Sequence, residues 1–142
     1  MKTDVISRIV QGQAVLDWVR EATADSLGGG ATAIGWLGKD GELAAGVAFD
    51  FYTGHNAVLH QRVVNPPPRG YWAAVADYVF RDLDCDRITG LIEECDAEAV
   101  KLTKHIGFTE ECRMKGAARD GGDIIIFVLW KKDARMLNWR KP

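Results

Sequence analysis

The apolar positions of this chain change their spacing several times, and each change marks an element. Ala14, Val15, Trp18, Val19 and Ala22 recur three and four residues apart, so residues 13–24 are expected to form an amphipathic helix, preceded by an earlier turn over 5–10. Gly28, Gly29 and Gly30 end it. Residues 31–37 and 42–52 are rich in strand formers and flank Gly38-Lys39-Asp40-Gly41, a hairpin signal because Asp-Gly accepts the positive φ of a tight turn. These two strands should pair antiparallel. A second turn, Thr53-Gly54-His55-Asn56, returns the chain as a third strand over 57–64 beside the second.

Asn65-Pro66-Pro67-Pro68-Arg69-Gly70 then interrupts the pattern, because prolines lack N–H donors and restrict their predecessors. Tyr71, Ala74, Val75, Tyr78, Val79 and Leu83 trace one face of a helix ending near Asp84, and residues 87–92 form a short strand. The strand before this helix and the strand after it should run parallel, joined by a right-handed crossover. Asp96 is placed to cap a helix starting at Ala97, with Ala99, Val100, Thr103 and Ile106 on one face and Gly107 at its positive-φ end. A strand over 109–115, a turn through Arg119-Asp120-Gly121-Gly122 and a strand over 123–130 complete the sheet. The tail over 131–142, basic but carrying Met136, Leu137 and Trp139, reads as a terminal helical turn packed on the sheet. The expected fold class is α+β (α/β), one domain over 1–142: a mixed, mostly antiparallel sheet with a central parallel βαβ unit, flanked by helices.

Composition narrows the function classes. The 18 basic and 20 acidic side chains give a formal charge of −2, which excludes a nucleic-acid protein working by bulk electrostatics. A local basic patch at Lys131, Lys132, Arg135, Arg140 and Lys141 keeps a nucleic-acid partner open. Cys85, Cys95 and Cys112 are odd in number and lack C-x-x-C spacing, which points to structural thiols in a reduced, cytoplasmic protein. Charge breaks the N-terminal apolar run too early for a signal peptide, and no run of eighteen apolar residues suggests a membrane span. Strand edges and abundant tryptophan make a homodimer a natural expectation.

Two segments carry candidate chemistry. Val64-Asn65-Pro66-Pro67-Pro68-Arg69-Gly70-Tyr71-Trp72-Ala73-Ala74 leads from strand to helix, where unpaired N–H groups and the helix dipole favour an anion. Asp96, Ala99, Leu102, Thr103, Gly107 and Phe108 form the second, at unbroken spacing. In this order, separated by a strand, the two resemble the motifs of the GNAT superfamily of acyl-CoA-dependent N-acyltransferases, and the resemblance covers residues 31–132. It implies acetyl-CoA as co-substrate, no metal, and an amine acceptor that is a small molecule or a protein. It also implies that the backbone at Val63, Val64 and Asn65 pairs with the pantetheine amides, that Arg69, Gly70, Trp72 and Ala73 build the diphosphate cradle, and that Asp96 and Thr103 belong to the cofactor cleft.

Three positions depart from the family's pattern. Trp72 stands where a second glycine is usual, so its indole either fills the cradle or turns away from it. Thr103 replaces the tyrosine that protonates the departing thiolate, and Asp96 replaces an asparagine. A general base must titrate near neutral pH within reach of the thioester carbon. His60 is the first choice, on the strand entering the loop; Glu93, then Glu94, follow at the end of the parallel strand. His55 and His105 read as surface groups, and Tyr71, Trp72 and Trp130 as aromatics available to line an acceptor pocket.

A narrower similarity joins Phe80 to Leu91, the Gly107-Phe108 stop, Gly121-Gly122-Asp123 and Ala134 to Asn138 to divergent GNAT proteins of bacteriophages and prophages. It implies a phage or prophage protein acting in the host cytoplasm. The readings left open are therefore an N-acetyltransferase, a catalytically degenerate GNAT-fold phage accessory or binding protein, and a phage nucleobase-modifying enzyme.

Overall fold

The computed structural model describes residues 8–22 and 30–139, so the expected helix end at Gly28 and Gly29, most of the expected 5–10 turn and the last three tail residues lie outside the described residues. The elements in chain order are β1 (Ile9–Gln11), α1 (Gln13–Ala22), β2 (Thr32–Leu37), β3 (Leu43–Asp50), β4 (Asn56–Val63), α2 (Arg69–Asp77), β5 (Arg87–Glu93), α3 (Ala97–Ile106), β6 (Thr109–Met114) and β7 (Ile124–Trp130). Among the described residues they build one seven-stranded sheet in the order β1-β2-β3-β4-β5-β7-β6. Only β4 and β5 run parallel; every other neighbouring pair is antiparallel. The mixed α+β architecture expected from the sequence is the one found.

The hairpin at Gly38–Gly41 closes as its residues dictate. Gly38 N donates to Glu42 O at 2.8 Å, and Gly41 takes a φ of 82° that an L side chain resists. Asp96 caps α3 through its Oδ1, which accepts from Ala99 N at 3.2 Å, and Gly107 ends the helix with φ 121°.

Two expectations are corrected. Ile9–Gln11 is a strand, pairing Ile9 with Trp36 and Gln11 with Ile34, because two adjacent β-branched residues fit an edge ladder better than a helical turn. The long helix after the prolines changes its winding at Tyr78–Asp82, a π-helical turn in which Leu83 N donates to Tyr78 O at 2.9 Å. The wider turn keeps Val79 and Phe80 buried.

The two sheet faces are covered differently. Helices α2 and α3 lie over the larger core, which holds Ile34, Val47, Leu59, Ile88, Phe127 and Leu129. Helix α1 covers β2 and β3 on the opposite face through Val15, Leu16 and Val19. It comes close because Gly35 and Gly46 sit side by side in the β2–β3 register; a Cβ on Gly46 would lie 2.8 Å from Val19 Cγ2. On the other face Tyr71 ties α2 to the sheet, its buried hydroxyl donating to Ile34 O at 2.6 Å. The tail packs as expected, in two short 3-10 turns (Lys131–Asp133 and Arg135–Asn138) with Ala134 and Met136 buried.

Candidate active site

The parallel pair is short. β4 and β5 are paired from Asn56 with Arg87 to Leu59 with Gly90, after which the strands part. The end of β4 is drawn to the other side: Val64 N and Asn65 N both donate to Ala44 O, at 2.7 and 3.1 Å, just before the prolines turn the chain away. The resulting gap opens into a cleft of about 600 Å³. Val63, Val64, Pro66, Pro67, Arg69 and Trp72 line one wall, and Asp96, Ala99, Leu102 and Ile106 line the other. A second cavity of about 210 Å³ lies at the same gap and includes His60, Leu91, Glu93, Ala117 and Arg119. Ala22, Gln61, Asp96 and Ala99 border both, so the two spaces meet at the point where the strands diverge.

At one end of the larger cleft is the start of α2. Pro68 occupies the cap with extended dihedrals and no side chain caps the helix; the first inward bond is Tyr71 N to Pro68 O at 3.0 Å. The first N–H groups of a nine-residue helix and its dipole are left to an outside acceptor. Arg69 adds a cation, its Cζ lying 5.1 Å from the Trp139 ring centroid. Of the two outcomes open for Trp72, the indole is turned into the wall: the residue is only 6% exposed and its ring meets Tyr71 edge-on at 5.1 Å. It therefore forms part of the cleft's lining while the space beside it stays open.

Several expected cofactor contacts take other partners. The N–H groups of Val64 and Asn65 are spent on Ala44 O. Adjacent strand residues direct their backbone groups to opposite edges, so Val63 and Gln61 face the gap instead. Ala73 is fully buried against the core and lines neither cavity. Thr103 does not reach the cleft either: its side chain is buried and its Oγ1 donates to Ala99 O at 2.7 Å, one turn back in its own helix. Asp96 remains at the junction, held by its capping role.

The candidate bases are distributed unevenly. His60 pairs in register with Ala48 and borders the smaller cavity. Glu93 also borders it, but Arg119 holds both of its oxygens: Arg119 N donates to Oε2 at 2.8 Å and Nε to Oε1 at 2.7 Å. The backbone bond first, and the guanidinium second, keep the Glu93 carboxyl below its ordinary range, so it stays ionised. Glu94 points to β6, where Arg113 binds it. His55 is exposed and paired with Asp86 at 2.6 Å. His105 is exposed at the rim of the larger cleft. Trp130 lies outside both cavities, on β7, with Arg87 over its ring at 5.2 Å. Cys85 alone fits a structural thiol, with burial raising its pKa; Cys95 and Cys112 are exposed, and all three are free.

Gln61, Arg119 and Trp139 escaped the sequence reading. Gln61 alternates with His60, which implies that one of the two faces each side of β4. Arg119 sits in a turn signal and Trp139 in a tail, and neither carries a local mark of its place at the smaller cavity or in the cleft.

A sheet split at one parallel pair, with a helix N-terminus at the split, defines the class of architecture: the GNAT fold of acyl-CoA-dependent acetyltransferases. Mutant forms of the spermidine/spermine N-acetyltransferase SpeG from Vibrio cholerae match it with a TM-score of 0.72 at 13% identity, over 92% of this chain and 96% of that one. A dodecameric spermidine N-acetyltransferase from the same organism, in an intermediate state, matches at 0.70 and 14%, over 93% and 98%. The ribosomal-protein-S5-alanine acetyltransferase from Vibrio fischeri matches at 0.62 and 16%, over 73% and 63%. At such identities the likeness is one of fold. No protein-family model matches the sequence, and no curated protein matches it. Among the described residues no helix is long and apolar enough to cross a membrane.

Proposed function

We propose that this protein is an N-acyltransferase that moves an acetyl group from acetyl-CoA to a primary amine by direct attack. One observation carries the reading: the cleft opened by the parting of β4 and β5 runs from the uncapped start of α2 to a second cavity bordered by His60. The first space suits a long thioester with a diphosphate at its far end, and the second suits the acceptor. Arg69 and the N–H groups of Arg69 and Gly70 would hold the diphosphate. The backbone of Val63 and Gln61 would pair with the pantetheine amides as an added strand would. Trp72 shapes the wall.

In the transfer the neutral amine nitrogen attacks the thioester carbon, His60 takes the nitrogen's proton, and the C–S bond breaks as the CoA thiolate leaves and takes a proton from water. His60 serves better than Glu93, because a carboxylate held by Arg119 has its proton affinity lowered. Glu93 and Arg119 instead fix the mouth of the acceptor cavity. Asp96, which borders the acceptor cavity, favours a cationic acceptor such as an alkylamine or a lysine side chain. Most of the rate would come from holding the two reactants together.

Thr103 favours a second reading. With its hydroxyl bonded to Ala99 O it cannot protonate the departing thiolate, as a binding protein that has lost turnover would not need to. Thiol release separates the two. Acetyl-CoA incubated with the protein and a panel of alkylamines and lysine peptides should release CoA above the protein-free rate, and His60→Gln should abolish the excess. Saturable CoA binding with no release from any acceptor would establish the binding-protein reading instead.

A further inference from the structure

Among the described residues the cation at the start of α2, Arg69, is held by an aromatic ring. Arg69 Cζ lies 5.1 Å from the centroid of Trp139, and both side chains line the larger cleft. Among the described residues Arg69 makes no other ion pair or hydrogen bond, although Asp96 and Glu98 line the same cleft. A carboxylate partner would occupy the guanidinium's donors and cancel its charge; an indole face does neither, since it attracts the cation through its quadrupole and leaves all five N–H groups available. Trp139 is itself anchored. It follows the short turn Arg135–Asn138, whose Met136 is buried, and Arg135 Nη2 donates to His105 O at 2.8 Å on the opposite wall. The tail therefore crosses from α3 to the mouth of α2.

We infer that Trp139 is a positioning residue for the cofactor's diphosphate: it holds Arg69 over the start of α2 with its hydrogen-bonding capacity unused. This rests on the acyl-CoA reading above. The C-terminal segment is thereby part of the binding site, and it acts on the diphosphate end of the ligand, far from the thioester.

Calorimetric titration of the full chain with acetyl-CoA and with acetyl-pantetheine, which lacks the diphosphate, tests the role. Trp139→Leu should weaken acetyl-CoA about two- to fivefold, the range of a partly exposed cation–π contact. Trp139→Phe should restore most of the affinity, and acetyl-pantetheine should bind equally to all three proteins. In an Arg69→Ala background Trp139→Leu should have no further effect. For acyl transfer, KM for acetyl-CoA should rise by the same factor with kcat unchanged. Equal loss with Phe and Leu, equal weakening of acetyl-pantetheine, or undiminished loss in the Arg69→Ala background would each overturn the inference and leave the acyl-CoA reading standing. Failure of the wild-type protein to bind acetyl-CoA would overturn both.

Discussion

Replacing Trp72 by alanine separates a ring that builds the cleft from a ring that blocks it. The residue is 6% exposed and packs edge-on against Tyr71, so nearly all of its side chain is removed from water. A tryptophan buries roughly 200 Å², which at about 25 cal/mol per Å² is on the order of 5 kcal/mol, and the edge-to-face pair adds about 1 kcal/mol. Its rim borders open space, so water can enter part of the vacated volume and the loss should fall near the lower end of the 3–5 kcal/mol range typical for such truncations, at about 3 kcal/mol. For a chain of this size that corresponds to a melting temperature lower by roughly 10 °C. Urea denaturation followed by tryptophan-independent circular dichroism measures the loss, with m unchanged. Titration with acetyl-CoA at a temperature where both proteins are folded should give an affinity equal to or below that of the wild type. A stability loss under about 1 kcal/mol, together with acetyl-CoA binding tenfold more tightly, would mean that the indole obstructs the diphosphate site and is not packed into the wall.

Gly46→Ala places a methyl group 2.8 Å from Val19 Cγ2 and 3.3 Å from the Trp18 ring, so α1 must shift; thermal denaturation should show a loss of about 1–3 kcal/mol, and a neutral result would contradict the close approach. Tyr71→Phe removes the bond to Ile34 O and should cost about 1 kcal/mol in the same assay, whereas no change would mean that the bond does not tie α2 to the sheet. The carboxyls of Glu93, Glu110, Glu111 and Asp123 are all held below their ordinary range, by the Arg119 backbone, Arg113, Arg87 and the Gly116 backbone respectively. Their contribution to stability is then complete above the unfolded carboxylate pKa of about 4 and is lost as pH falls through the lower folded values, so melting temperatures should decline on acidification and not between pH 6 and 8. His60→Gln should lower kcat by a factor of about 10²–10⁴ with acetyl-CoA affinity preserved; a loss under threefold would remove His60 as the base.

What the sequence discloses here is what local chemistry decides. The α3 cap at Asp96, its end at Gly107 and the break at Pro66–Pro68 follow from residues acting on their own neighbours, and all three stand in the structure. The order of elements, and with it the fold, follows from them. Ile9–Gln11 is not legible as a strand locally, because its strand identity depends on pairing with Thr32–Leu37, more than twenty residues away. The direction of the Val64 and Asn65 N–H groups depends in the same way on Ala44 O, and the orientation of Trp72 on packing against Tyr71. The motif position of Thr103 does not fix where its hydroxyl goes: a side chain that short bonds to its own helix where a longer one would reach out. Arg119 and Trp139 enter the cleft only because the β6–β7 hairpin and the tail fold back over it.

The central claim, that the start of α2 receives the diphosphate of an acyl-CoA, is tested most directly by following backbone amide resonances as acetyl-CoA is added. Saturable one-to-one shifts are expected, largest at the amides of Arg69 and Gly70, with a second group at Gln61 and Val63. Amides that stay unmoved at millimolar acetyl-CoA, or shifts confined to residues remote from the gap between β4 and β5, would contradict it.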